Sequence, residues 1–244
     1  MWRSWAADER RAADLIDETI GEVIASGGGR LVWHTGDRVS PPFMDGCLAA
    51  HGFELTEKLD VLAFALMDDS GPRIPRLGTT EGIDVGLVRD AGGLREAFGV
   101  DSDVFGSPRP SGVEFAEYTG ELEKLRRFER GEPHSPGDSI ALRFAASMDV
   151  LPGCEGDDDR RVIAAAGAQL VGDTLRLWGA ATQVAFRGLG AYKALVQERC
   201  RVGVDLGATL ALTKANAATS SSILERAGFR RVGTERRHVL EVRK

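Results

Sequence analysis

Three apolar runs stand in series through the middle of the chain: Ser139 to Met148, Val162 to Val171 and Thr174 to Phe186. The acidic turn Glu155-Gly-Asp-Asp-Asp159 separates the first two, and Gly172-Asp173 separates the second from the third. Apolar runs of this length between turn residues read as successive strands of one meander. The pattern then changes to a helix from about Gly190 to Val202, a strand over Thr209 to Leu212, a helix from about Thr219 to Arg226 and a last strand over Val232 to Val242. Strands in series followed by alternating helix and strand indicate an α/β (α+β) chain, a mixed sheet with helices packed on it.

Ahead of the meander, Leu15, Ile16, Ile20, Val23 and Ile24 recur at helical spacing over Ala6 to Ser26, and the triple glycine from Gly27 stops that helix. A short strand over Arg30 to His34, the Pro41-Pro42 break, a short helix through Leu48 and Ala49 and a strand over Leu59 to Met67 follow. Asp68 to Gly82, with Gly71, Pro72, Pro75, Gly78 and Gly82, is the best linker. It divides the chain into an amino-terminal unit, 1–78, and a main domain, 79–244, in which Ala91 to Phe98 and Glu114 to Arg130 also read as helices. Four short elements bury too little apolar surface to be secure alone. The unit is therefore expected to complete or cover the main sheet with Trp33 and Phe53 as anchors, and pairing into a homodimer is the alternative.

A half-repeat joins the two ends of the chain. Leu48-Ala-Ala-His-Gly52-Phe53, with Val61-Leu62 after it, parallels Leu224-Glu-Arg-Ala-Gly228-Phe229 with Val239-Leu240 after it. Any amphipathic helix closed by a glycine looks similar, so the sequence leaves duplication and coincidence both open.

Composition narrows the function. A net charge of −6, from 31 basic and 37 acidic residues, lacks the basic excess of a nucleic-acid binder. The longest apolar run, Val61 to Met67, is too short for a bilayer, and the charges at Asp8 to Arg11 leave no export signal, so neither nucleic acid nor membrane is an expected partner. Cys47, Cys154 and Cys200 are odd in number and widely spaced, which reads as reduced thiols of a cytoplasmic protein. His34, His51, His134 and His238 are equally scattered, so no metal is expected.

The chemistry concentrates at Ala180 to Leu195, where an apolar strand meets a glycine turn that opens directly into a helix. A helix start carries unpaired N–H groups and the positive end of the macrodipole, and Gly188 and Gly190 let an anion approach the backbone while Arg187 adds a charge. The same turn is also simply a good turn. A dinucleotide fingerprint needs a small third residue where Lys193 stands, and no P-loop spacing is present.

Arg187-Gly-Leu-Gly190-Ala-Tyr192 resembles the acyl-CoA motif Arg/Gln-x-x-Gly-x-Gly/Ala of the GCN5-related N-acetyltransferases, with Tyr192 where a small residue is usual. Asn216, then Ile223-Leu-Glu-Arg-Ala-Gly228-Phe229, resembles that family's second block. The resemblance covers about Val162 to Val242. It implies a mixed, mostly antiparallel central sheet flanked by helices, with the amino-terminal unit as a degenerate half-repeat of the same fold. It implies acetyl-CoA as co-substrate, with Thr182 and Val184 offering backbone groups to the pantetheine arm, and the amides of Gly188, Leu189, Gly190, Ala191 and Tyr192 cradling the pyrophosphate. Asn216 would lie near the thioester or else cap the following helix.

The implied reaction is attack of an amine, on a small molecule or a protein, on the thioester. An alkyl amine, with a pKa near ~10, must first lose a proton. Glu117 and Asp149, with Glu114 and His134, are weak candidates for that base. The family's usual tyrosine acid falls at Leu224, which leaves Ser222 and its neighbours as substitute donors. A non-catalytic CoA-binding regulatory or assembly module is the alternative function.

Overall fold

The computed structural model describes residues 6, 8–37, 40–78, 81–132, 137–149 and 160–243. His134, Cys154 and the acidic turn Glu155 to Asp159 lie outside the described residues. In chain order the first elements are α1 (Glu9–Ala25), β1 (Gly29–Gly36), α2 (Met44–Ala50), β2 (Glu54–Ala65), β3 (Met67–Asp68), β4 (Gly71–Pro72) and β5 (Ile83–Leu87). Then come α3 (Ala91–Phe105), α4 (Gly112–Glu129), β6 (Ser139–Asp149), β7 (Arg160–Val171), β8 (Thr174–Thr182), α5 (Ala191–Asp205), β9 (Leu210–Asn216), α6 (Ser220–Arg226) and β10 (Arg230–Val242). Among the described residues no helix is long and apolar enough to cross a membrane.

The chain forms two compact units that do not follow the sequence in blocks. One holds the described parts of 1–62, 214–226 and 230–244; the other holds those of 63–213 and 227–229.

In the first unit α1 buries Ala12 and Ile16 against Met44 and Leu48 of α2 and against Phe53, with Leu31, Trp33 and Leu240 packed around them. Trp33 meets Phe53 edge to face at 6.3 Å, a geometry that aligns the ring edge with the partner's electron-rich face. β1 pairs antiparallel with β10 from Gly29↔Val242 to Gly36↔Glu235, and the strand order here is β1-β10-β2.

The half-repeat acquires side-chain evidence in this unit. In the alignment of its two copies, Asp45 on α2 stands opposite Ser221 on α6, and Asp60 on β2 stands opposite His238 on β10. Each helix residue bonds the strand residue of the other copy. The Ser221 hydroxyl donates to Asp60 at 2.7 Å, and His238 Nε2 lies 3.2 Å from Asp45 Oδ1, which also accepts from the Thr35 hydroxyl at 2.6 Å. Asp60, Ser221, His238 and Thr35 are all buried. A chance likeness between two glycine-capped helices does not require matched polar contacts between residues 161 and 193 positions apart.

In the second unit the order is β9-β8-β7-β6-β5. β5, β6, β7 and β8 are antiparallel neighbours, and only β8 with β9 is parallel. This is the mixed, mostly antiparallel sheet flanked by helices that the sequence implied. α3 packs Ala97, Val100 and Val104 on Ala165 and Ala181, and Leu94 and Phe98 meet Leu122 of α4. α5 approaches β8 so closely that a Cβ on Gly203 would lie 2.6 Å from a methyl of Leu175.

Several boundaries differ from the sequence reading; β2, for one, runs from Glu54 to Ala65 and not from Leu59 to Met67. β5 was not anticipated, because the alternation of Ile83, Val85 and Leu87 spans only five residues beside Gly82 and Gly86. α3 continues past Phe98 to Phe105, since Val100 and Val104 prolong its buried face beyond the polar Asp101-Ser-Asp103 stretch. The third meander strand stops at Thr182 rather than Phe186, and Val184 to Phe186 form a 3-10 turn instead.

Candidate functional site

The site is built where β8 ends. Its register with β9 runs from Thr174↔Leu210 to Leu177↔Thr213, five residues short of Thr182. Against β7, Gly167 is opposite Trp178 and Ala165 is opposite Ala181, so Gly179 and Ala180 together face Ala166. This is a bulge. Gly179 takes a φ of +57°, a conformation open to residues without a Cβ. Gly167 is required for a different reason, because a Cβ there would lie 2.4 Å from the Trp178 ring. Arg199 on α5 reaches under this point and donates to the carbonyls of Gly167 at 3.0 Å and Trp178 at 3.4 Å.

After Thr182 the chain turns. The Gln183 amide bonds the Ile163 carbonyl at 2.9 Å, which ties the exit to β7, and Phe186 and Arg187 close the 3-10 turn on Gln183 and Val184. Arg187 is extended, Gly188 has a φ of +84° and Gly190 a φ of +93°. Gly190 is the N-cap of α5 and supplies no side-chain oxygen to its first turn. Two left-handed glycines bracket Leu189 at the uncapped start of α5, and a helix start of this kind is where anions are received. No atom lies within 4 Å of where a Cβ on Gly188 would be. The corner thus has both the room and the donors for a diphosphate, and the residues fit the CoA group that the sequence motif implies.

The predicted residues divide by place. Thr182, Val184, Arg187, Gly188, Leu189, Gly190, Ala191 and Tyr192 form one continuous corner of the second unit. Val184 and Leu189 are exposed there, and the Arg187 side chain bends back so that Nε donates to the Thr182 carbonyl at 3.3 Å. Val184 lies in the 3-10 turn and not on a strand. Asn216 belongs to the first unit, and its side chain closes a turn, Oδ1 accepting from the Ala218 amide at 2.8 Å. The bonded amide lies ahead of α6 (Ser220–Arg226), so this is a turn within the loop and not a cap on that helix.

Glu117 on α4, Asp149 at the end of β6 and Ser222 on α6 are all exposed, and the Ser222 hydroxyl donates to the Thr219 carbonyl at 3.4 Å. Glu114 serves a capping box: it accepts from the Ser111 amide, while its own amide donates to the Ser111 hydroxyl. Those bonds hold its carboxyl below its ordinary pKa. Leu224, at the place of the family's tyrosine, is 1% exposed in the core.

Sequence reasoning missed the polar groups beneath β8. Arg199 is 2% exposed, and burial pushes its pKa down to about 10. Arg143 pairs with Asp101 and lies over the rings of Phe98, at 5.2 Å, and Trp178, at 5.4 Å. One signal was available: Leu195, Arg199 and Val202 fall at helical spacing, which sets an arginine on an apolar stripe. Cys200 beside it is buried, and desolvation raises its thiol to about 12, so it is no nucleophile.

No family model and no curated protein matches the sequence. Solved structures match it closely in fold. A GCN5-related N-acetyltransferase from Sphaerobacter thermophilus superposes with a TM-score of 0.67 at 17% identity, over 95% of this chain and 67% of the other. One from Kribbella flavida gives 0.61 at 15%, over 95% and 76%. The chain has the GCN5-related N-acetyltransferase fold. A tandem protein of this kind from the clavulanic acid biosynthesis pathway matches 98% of the chain and 72% of its own length, with a TM-score of 0.58 at 12% identity. Within the GCN5-related fold, the Arg187 to Tyr192 corner occupies the turn between a meander strand and the helix that leads to a parallel strand.

Proposed function

We propose that the chain is an acyl-CoA-dependent N-acyltransferase of the cytoplasm that moves acetyl from acetyl-CoA to an amine, carried by a small molecule or a protein, by direct attack on the thioester. The observation that supports it most is the open start of α5, where left-handed Gly188 and Gly190 leave the helix without a side-chain cap. Acetyl-CoA supplies the activated acyl carbon. The chain's corner amides and Arg187 grip the diphosphate, and the end of β8, free of β9 beyond Leu177, lines the arm. The amine nitrogen forms the new C–N bond as the C–S bond breaks, the electron pair leaves on sulfur, and the amine proton passes to water or a nearby carboxylate. A thiol with a pKa of about 8.5 leaves tolerably without protonation, so Leu224 in the place of a phenol does not block the step. The amino-terminal unit is a degenerate half of the same fold, as the matched Asp45–His238 and Ser221–Asp60 contacts indicate.

The buried Leu224 and the exposed positions of Glu117, Asp149 and Ser222 favour a second reading, a CoA-binding module without turnover. Thermal melts decide. At acetyl-CoA one hundred times its Kd the folded state gains about 2.7 kcal/mol. A shift with turnover on an amine panel supports the transferase, a shift without turnover supports the module, and no shift at millimolar acetyl-CoA or CoA removes both.

A further inference from the structure

We infer that Arg199 is a positioning residue of acyl transfer, which holds and polarises the Trp178–Gly179 peptide at the point where β8 passes beyond its pairing with β9. The inference rests on the acyltransferase reading above. Arg199 is buried in the middle of α5, and among the described residues its hydrogen bonds go to carbonyls: Leu195 at 3.0 Å, Gly167 at 3.0 Å and Trp178 at 3.4 Å. Among the described residues no carboxylate pairs with it. A cation buried without a counter-charge is costly, and an apolar side chain of the same volume is ordinarily the more stable choice. Packing therefore does not explain it.

Its position supplies a reason. Gly167 and Trp178 are the paired residues on one side of the bulge, and a single guanidinium nitrogen bridges their oxygens, so the bulge is held from both strands at once. The Trp178 carbonyl and the Gly179 amide are two ends of one peptide group. Donation from a cation to that oxygen draws density from the nitrogen and makes the Gly179 N–H a stronger donor. Gly179 is exposed, bent to a φ of +57° and without a side chain to cover it. When an amine attacks a thioester the acyl oxygen gains negative charge, and a fixed, strengthened amide stabilises that charge with no reorganisation. Arg143 adds to the local field, its guanidinium lying 3.9 Å from where a Gly179 Cβ would be, but Asp101 already pairs with it.

The test compares Arg199→Met with Arg199→Lys in the full chain. R199M is expected to lower kcat by about tenfold or more, on the scale of losing one oxyanion donor, while KM for acetyl-CoA and the acetyl-CoA thermal shift stay near wild type. R199K, which keeps the charge, is expected to recover most of kcat. In the coenzyme-free protein the Gly179 amide proton should move upfield in R199M and stay in place in R199K. A folded R199M with wild-type kcat overturns the inference, and so does an R199K as impaired as R199M. If R199M does not fold, Arg199→Gln replaces it, and full activity in R199Q overturns the inference equally. Should wild type show no acetyl-CoA shift, the transferase reading fails, while the Gly179 resonance still reports whether Arg199 polarises that peptide.

Discussion

The starts of α1 and α5 present the same backbone problem and opposite solutions. Each leaves N–H groups unpaired in its first turn. At α1 the chain answers with its own anion: Asp8, extended at a φ of −148°, accepts from the Arg11 amide at 2.8 Å. At α5 the N-cap is Gly190, which has no side chain and a φ of +93°. The other two long helices side with α1, since Asp90 caps α3 at the Gly93 amide and Ser111 caps α4. A start already bonded to a fixed carboxylate repels a second anion and gives it no room. Among the four, α5 alone starts without a side-chain cap.

The comparison breaks most severely at Gly190. Gly190→Asp places a carboxylate where α5 is open and forces a left-handed φ on a residue with a Cβ. The whole acetyl-CoA response, about 2.7 kcal/mol at one hundred times Kd, should vanish while the coenzyme-free melt falls only slightly. A G190D protein that keeps the shift would place the diphosphate elsewhere.

Next in size is the pair of matched contacts. Ser221→Ala leaves the buried Asp60 with only Arg231 at 3.6 Å, and stranding a buried acceptor costs about 1–3 kcal/mol. Asp45→Ala strips a partner from both Thr35 and His238, but Asp45 is itself partly exposed, with 37% of its side chain open to solvent, so water reaches the gap. Urea midpoints should therefore fall further for S221A than for D45A, and the reverse order would show that the two contacts are not equivalent halves of a repeat.

The elements that were legible are those with strong local signals. The glycine stop after Ala25, the Gly172-Asp173 turn and the Gly188–Gly190 corner each mark a boundary through backbone conformation, and a sequence displays glycine directly. The parts that were not legible depend on partners far along the chain. β5 is a strand because Val85 and Leu87 meet Ala146 and Phe144 of β6, and the alternation within Ile83 to Leu87 is too short to announce it. The bulge at Gly179 is set by Gly167 and Arg199, twelve and twenty residues away, so its glycine reads as one more turn in a glycine-rich chain. The corner's backbone conformation was legible where a catalytic base was not: Gly188 and Gly190 announce their turn within a few residues of sequence, whereas a base is defined by what stands near it in space.

Smaller effects sharpen the contrast between closed and open helix starts. Asp8→Ala removes the α1 cap and should cost about 1 kcal/mol. It should give no second acetyl-CoA response, because an absent carboxylate does not create the left-handed glycine corner, and a second binding event in titration calorimetry would contradict that.

The smallest effect belongs to Glu114. Its carboxylate is held below the usual pKa first by the Ser111 amide and then by the Ser111 hydroxyl. A carboxyl whose folded pKa lies under its unfolded value adds stability above the unfolded value, near ~4.3, and loses it as pH falls through the folded one. Glu114→Gln keeps an acceptor at the same place in the box but does not titrate. Wild type should therefore melt higher than E114Q at neutral pH, and the gap should close as acid is added below about pH 4. Because Glu114 is fully exposed, solvent screens the interaction, and only the pH dependence of the difference is diagnostic. A gap constant from neutral to acid pH would mean that the charge on Glu114 contributes nothing to α4, and that the box works through hydrogen-bond geometry alone.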